Sequence, residues 1–140
     1  MPSPLFAMPR TVRFQDIDAA GILFYARAFE YFHDAYLALL ADRGVDVPAR
    51  IRERTWGAPL GHAEADFKAP MRYGDPIVVE IDGGTIGRSS LTVLYTVRSA
   101  SDPTRVFCTG KTVHIFIEVP SLKPRDVPDE VRAIFAGGPV

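Results

Sequence analysis

The sequence predicts an α+β fold in which one long helix lies against a curled antiparallel sheet. Three observations carry this. A polar/apolar alternation opens the chain at Arg10-Thr11-Val12-Arg13-Phe14-Gln15, a helical period follows from Phe24 to Asp42, and short β-branched runs separated by turn residues fill most of the remainder.

Each element has its own signal. Arg10 to Gln15 alternates as a half-buried strand does, and Asp16-Ile17-Asp18-Ala19-Ala20-Gly21 breaks that period. In the helical stretch Tyr25, Phe29, Phe32, Tyr36 and Leu39 recur at steps of four and three, and Ala28, Ala35 and Leu40 widen the stripe. Gly44 stands where a helix ends in the left-handed conformation that glycine accepts. Pro59 to Phe67 is a candidate strand, followed by the turn-rich segment Lys68 to Pro76. Ile77 to Ile81 is β-branched, and Gly87-Arg88-Ser89-Ser90 reads as a hairpin into Leu91 to Val97. Val106 to Val119 is a further strand, with Val113, Ile115 and Ile117 on one face and His114, Phe116 and Glu118 on the other. Pro128-Asp129-Glu130 has the composition of a short helix start.

Composition bounds the function. A chain of 140 residues suits one domain, spanning 1–140, with a core large enough to need no staples. Sixteen basic against 17 acidic residues lack the electrostatic footprint of a nucleic-acid binder. A lone Cys108 excludes a disulfide framework and a paired-cysteine zinc site. No apolar run approaches the ~20 residues of a membrane span, and the N-terminus lacks the pattern of a secretory signal. The expectation is a cytoplasmic protein.

The richest stretch is Asp16-Ile17-Asp18-Ala19-Ala20-Gly21-Ile22-Leu23-Phe24-Tyr25, where two carboxylates sit between a strand and the amino end of the helix. Both acids can serve as turn caps. Alternatively one caps while the other faces a substrate, with the free N–H groups of the helix start polarising a bound carbonyl. The spacing alone does not choose between these readings.

Val12 to Tyr25, an apolar strand followed by Asp-x-Asp-x-x-Gly-apolar-apolar-aromatic and an aromatic-rich helix, resembles the signature of the 4-hydroxybenzoyl-CoA thioesterase family of hot-dog-fold enzymes. Phe67-Lys68-Ala69-Pro70-Met71-Arg72-Tyr73-Gly74-Asp75 is similar to the same family's strand–Pro–x–x–Tyr–Gly–Asp turn. The resemblance implies hydrolysis of an acyl- or aroyl-coenzyme A, or of an acyl carrier protein thioester. It implies a catalytic carboxylate at Asp18, an oxyanion donor in the backbone N–H of Tyr25, and a structural, capping role for Asp16. It also implies a coenzyme A phosphate contact at Arg88, and assembly as a homodimer or homotetramer with active sites between subunits. A thiolate leaves readily, so a placed carboxylate and an oxyanion donor are a sufficient catalyst, and neither metal nor cofactor is expected.

Other residues take ordinary readings. Cys108 lies in an apolar run and is expected as a buried thiol. His33, His62 and His114 lack metal-ligand spacing, and His62 is the one expected nearest a pocket. Trp56, Pro59 and Leu60 are candidate pocket walls. No Gly-x-Ser-x-Gly elbow occurs, and Gly83-Gly84-Thr85-Ile86-Gly87 reads as strand bends and not a phosphate loop. Glu30, on the helix, is expected to face solvent or a partner and not to replace Asp18. A noncatalytic hot-dog module that binds acyl-coenzyme A, or acts as a scaffold, is the alternative. Hydro-lyase chemistry would need a His–acid pair that His33 does not supply.

Overall fold

A computed structural model describes residues 3–136. Five strands, β1 (Phe6–Thr11), β3 (Leu60–Phe67), β4 (Pro76–Ile86), β5 (Ser90–Ser99) and β6 (Val106–Ile115), form one antiparallel sheet in the order β1-β4-β5-β6-β3. The helix α1 (Tyr25–Asp42) lies in its concave face. This is the hot-dog arrangement that the two motifs imply. A two-residue pair, β2 (Trp56–Gly57) with β7 (Ile117–Glu118), stands apart from the main sheet. Two short helices, α2 (Val47–Glu53) and α3 (Asp129–Ala136), complete the described chain.

The core follows from period matching. On β4 the alternate residues Ile77, Val79 and Ile81 are fully buried, and on β5 Leu91, Val93, Tyr95 and Val97 are buried on the same face. They meet Ala28, Tyr31, Phe32, Ala35, Tyr36, Leu39 and Leu40 of α1. The buried stripe is the expected one through Ala28, Phe32, Ala35, Tyr36, Leu39 and Leu40, but Tyr31 joins it while Tyr25, at the helix start, is 63% exposed. Gly44 closes α1 as expected. At φ +83° it lets its own N–H bond the Ala41 carbonyl and the Val45 N–H bond that of Leu40, satisfying two orphan acceptors.

Several boundaries differ from the sequence reading. The first strand is Phe6–Thr11 and not Arg10–Gln15, and Phe14–Asp16 is a single 3-10 turn. Strand β1 is an edge, so Pro9 costs it no central ladder bond. Strand β4 runs on through Gly83 and Gly84, with a register shift between Ile81 and Gly83, so the glycines do mark a bend. The space at Gly84 is filled by Phe135 of α3. The run Val106 to Val119 divides at Phe116, and its core face carries His114 and Phe116. Helix α2 had no signal of its own apart from Asp46, whose side chain accepts the Ala49 N–H at 3.0 Å.

Gly110 on β6 fixes how closely α1 approaches the sheet. A Cβ there would overlap the ring of Phe32, which is itself stacked on Tyr95 with centroids 4.5 Å apart. Gly110→Ala is expected to destabilise the fold by ~1–3 kcal/mol through overpacking. The loss should shrink in a Phe32→Leu background, because the two sites share one space. Thermal denaturation of the two single variants and the double variant checks this; strictly additive losses would place the strain elsewhere.

Candidate active site

The two sequence motifs fold as one unit. The loop between the 3-10 turn and α1 is clipped to the turn after β3, with Leu23 N–H bonded to the Met71 carbonyl at 2.8 Å and a bridge pairing Ile22 with Arg72. That turn is held in its own right. Asp75 accepts the Arg72 N–H at 2.8 Å, Gly74 adopts φ +88°, and its N–H reaches the Val12 carbonyl. The Tyr-Gly-Asp turn thus supports the loop that carries Asp18.

Within the loop the Asp18 main chain bonds both ways: its N–H to the Ile22 carbonyl at 2.8 Å, and its carbonyl from the Gly21 N–H at 3.0 Å. Gly21 takes φ +81°, which a side chain would strain. The Asp18 Oδ1 accepts the Ala20 N–H at 2.8 Å and the Ile22 N–H at 3.4 Å. Its Oδ2 has no partner among the described residues. One oxygen is spent on position, and the other remains open.

Asp18 and Tyr25 line the same cavity, of about 380 Å³, whose walls include Ile22, Leu23, Met71 and Lys68. Tyr25 is the first residue of α1, which starts with no capping side chain and no acid in its first turn. The Phe24 N–H is bonded to the Asp16 carbonyl at 2.9 Å. The Tyr25 N–H has no acceptor among the described residues, so a helix-start donor is left open beside a carboxylate.

Asp16 is fully buried. Arg13 holds it bidentately at 2.9 and 3.1 Å, Tyr31 donates its hydroxyl at 2.6 Å, and Arg27 stands at 3.7 Å. Burial alone would raise its carboxyl, but the hydrogen bonds from Arg13 and Tyr31 and the charges of Arg13 and Arg27 outweigh it and hold it below the usual range. Burial and this bond push the Tyr31 phenol up to about 12. The expected capping role is corrected: the Asp16 side chain caps no helix and instead ties the 3-10 turn to α1. Because its folded value is depressed, its stabilisation is present above the ordinary ~3.9 and is lost as pH falls through the folded value. Asp16→Asn is expected to cost ~1–3 kcal/mol at pH 7, with the deficit closing under acid, and to change turnover per folded molecule much less. Melting curves at pH 7 and pH 3 check it; an equal deficit at both would remove the charge from the explanation.

Arg88 lies in the turn between β4 and β5, as the sequence indicated, but it does not line the Asp18 cavity. Its guanidinium meets Asp126 at 2.9 Å, with both side chains largely exposed. The expectation for His62 is corrected. On the exposed edge strand β3 it bonds Glu64 at 2.9 Å and lines no described cavity, whereas His33 and His114 border a second one. Cys108 is fully buried, and burial pushes its thiol up to about 11, which leaves it unreactive. Glu30 is exposed and paired with Arg27 at 2.8 Å. Sequence reasoning missed Lys68, the one basic side chain on the Asp18 cavity wall; its place within the second motif was the available signal. No helix among the described residues is long and apolar enough to cross a membrane.

Comparison with known proteins places the chain in a family and agrees with its fold. Residues 12–135 match the sequence profile of the thioesterase-like superfamily. A 1,4-dihydroxy-2-naphthoyl-CoA hydrolase from Nostoc punctiforme is 31% identical over 90% of this chain and 83% of its own length. One from Thermosynechococcus vestitus is 30% identical over 99% of this chain and 93% of its own. The crystal structure of a 1,4-dihydroxy-2-naphthoyl-CoA thioesterase from Synechocystis superposes with a TM-score of 0.88 at 24% identity, covering 94% of this chain and 96% of that one.

Proposed function

This chain belongs to the thioesterase-like superfamily, and we propose that Asp18 carries its reaction, with the Tyr25 N–H as the oxyanion donor. The protein is an enzyme that hydrolyses coenzyme A thioesters. The observation that carries the site reading is that Asp18, with its Oδ2 open, and Tyr25, with its N–H open, line one cavity. Water adds to the acyl carbon, the carbon–sulfur bond breaks, and the products are a carboxylic acid and a thiol. Asp18 either takes the proton from that water or attacks the carbonyl first and is regenerated by water. The Tyr25 N–H stabilises the negative oxygen formed in both routes. The thiolate is its own adequate leaving group, so neither route calls for a metal or a cofactor beyond the coenzyme A of the substrate.

The acyl group of this proposal is a hydroxylated aromatic ring, in keeping with the substrate that names the two curated relatives. Coenzyme A is the donor, in the cytoplasm. A thiol-release assay over aroyl-, short-chain and long-chain acyl-coenzyme A substrates, with an acyl carrier protein thioester beside them, tests this. Preferential release from the aroyl substrates is expected. Binding without release from any of them would make the chain a binding module instead.

The active unit is a homodimer built on β3. This eight-residue edge strand pairs with β6 along one side only, so the N–H and C=O groups of alternate residues point outward, with Leu60 57% and Phe67 49% exposed on it. Pairing with a second copy covers that edge. Light scattering at assay concentrations reads the state directly, and a fully active monomer would overturn it.

Arg88 is assigned to a coenzyme A phosphate, which would exchange for Asp126 as its partner. Arg88→Ala is expected to raise KM up to about tenfold with little change in kcat, because an exposed contact is present equally in ground and transition states. The effect should fade at high salt. An unchanged KM at low ionic strength would remove Arg88 from the site.

A further inference from the structure

Three buried polar side chains on the concave face of the sheet form one connected chain. The Tyr95 hydroxyl and Thr112 Oγ1 lie 2.8 Å apart, and Thr112 Oγ1 lies 2.9 Å from His114 Nε2. Tyr95 is 2% exposed, and Thr112 and His114 are each 6% exposed. The three floor a cavity of about 590 Å³ that opens between α1 and the β3 edge, with Phe29, Leu60 and Ala63 among its walls. Apolar residues would fill such a floor at less cost, since each buried polar atom there must find a partner.

Burial pushes the His114 imidazole down to about 4, so the ring is neutral, with one donor nitrogen and one acceptor. Its Nε2 lies 2.9 Å from Thr112 Oγ1, and the Thr112 and Tyr95 hydroxyls rotate to suit whichever partner each has. What the chain leaves for the cavity is hydrogen-bonding capacity on the Tyr95 and Thr112 oxygens, while Glu30, His33 and Asp34 stand on the α1 side of the same cavity.

We infer that Tyr95, Thr112 and His114 form the specificity floor of the acyl pocket and hydrogen-bond a hydroxyl on the aromatic ring of the substrate. This rests on the thioesterase and dimer readings above. Antiparallel pairing of two β3 edges about a twofold through the strand centre sets Phe67 of one copy beside Leu60 of the other. Phe67 borders the Asp18 cavity and Leu60 borders the polar floor, so the floor of one copy serves the carboxylate of its partner. An alkyl acyl chain offers those oxygens nothing, whereas a phenolic O–H satisfies them.

The test compares 1,4-dihydroxy-2-naphthoyl-CoA with 1-hydroxy-2-naphthoyl-CoA, which differ only in the ring hydroxyl remote from the thioester. Wild-type kcat/KM is expected to favour the dihydroxy compound about tenfold or more. In Thr112→Val and in Tyr95→Phe the ratio should collapse to within about twofold. A merely structural role would slow both substrates alike and keep the ratio, and that result would overturn the inference. Should neither compound be hydrolysed, the thioesterase reading fails instead. Calorimetric binding of the same two compounds to the wild type and both variants then gives the ratio without turnover, and an undiminished preference in the variants again overturns the inference.

Discussion

Asp18→Asn is expected to fold as the wild type does and to lose about 10²–10⁴-fold or more in kcat/KM for thioester hydrolysis. The fold should survive because asparagine keeps the one oxygen that the loop uses. Its amide oxygen can accept the Ala20 and Ile22 N–H groups as Oδ1 now does. The substitution falls on the other oxygen, which has no partner among the described residues. Replaced by an NH₂ group, that position can neither accept a proton from water nor attack a carbonyl. A loss at the lower end fits a general base, and a loss well beyond it fits a nucleophile, since covalent catalysis leaves no alternative route once the attacking atom is gone. Steady-state kinetics with a melting curve on the same preparation decide it. A folded Asp18→Asn enzyme with near-normal turnover would take the reaction away from this residue.

Contrast with Asp16 sharpens the point. The two acids are two residues apart and identical in type, yet one is sealed in a network of Arg13, Arg27 and Tyr31 and the other faces a cavity. The sequence could name the pair but not divide the labour, because burial of Asp16 depends on Tyr31, a full turn and more into α1. What was legible was local. Gly21 and Gly74 are demanded by backbone conformation, α1 by its period and Gly44 by its cap, and all four can be read without knowing any long-range contact.

Features set by pairing were not legible in the same way. In the run Val106 to Val119 the apolar trio Val113, Ile115 and Ile117 is not the buried face; its register with β5 and β3 turned Thr112, His114 and Phe116 inward instead. His62, expected near a pocket, lies on the other side of an edge strand whose register shifts between Leu60 and His62. Helix α2 buries none of its residues, so it carries no periodic stripe to detect. Edge strand β1 was masked by Pro4 and Pro9, which read as turn residues in a sequence and are tolerated where one side of the strand is unpaired. Lys68 reaches the Asp18 cavity only because the turn after β3 is clipped onto the loop at Leu23 and Ile22.

The oxyanion donor can be deleted without altering the carboxylate. Tyr25→Pro removes the backbone N–H at the first position of α1, where proline is accommodated because that N–H has no intrahelical partner. Phe24 already has φ −65° and ψ 128°, the extended conformation that a residue before proline requires. The helix should therefore keep its start, and circular dichroism and melting temperature should stay near wild type. Activity should fall by about 10²–10³-fold, the usual cost of one oxyanion donor, and the loss should appear in kcat, because the bond strengthens as charge develops on the oxygen. The Tyr25 side chain, which is 63% exposed and touches the same cavity, is controlled for by Tyr25→Ala, which keeps the N–H. The ratio of the alanine to the proline variant isolates the backbone donor. If the two variants turn over equally, the helix start does not hold the oxyanion, and the carbonyl must be polarised from elsewhere on the cavity wall, where Lys68 is the nearest alternative in kind.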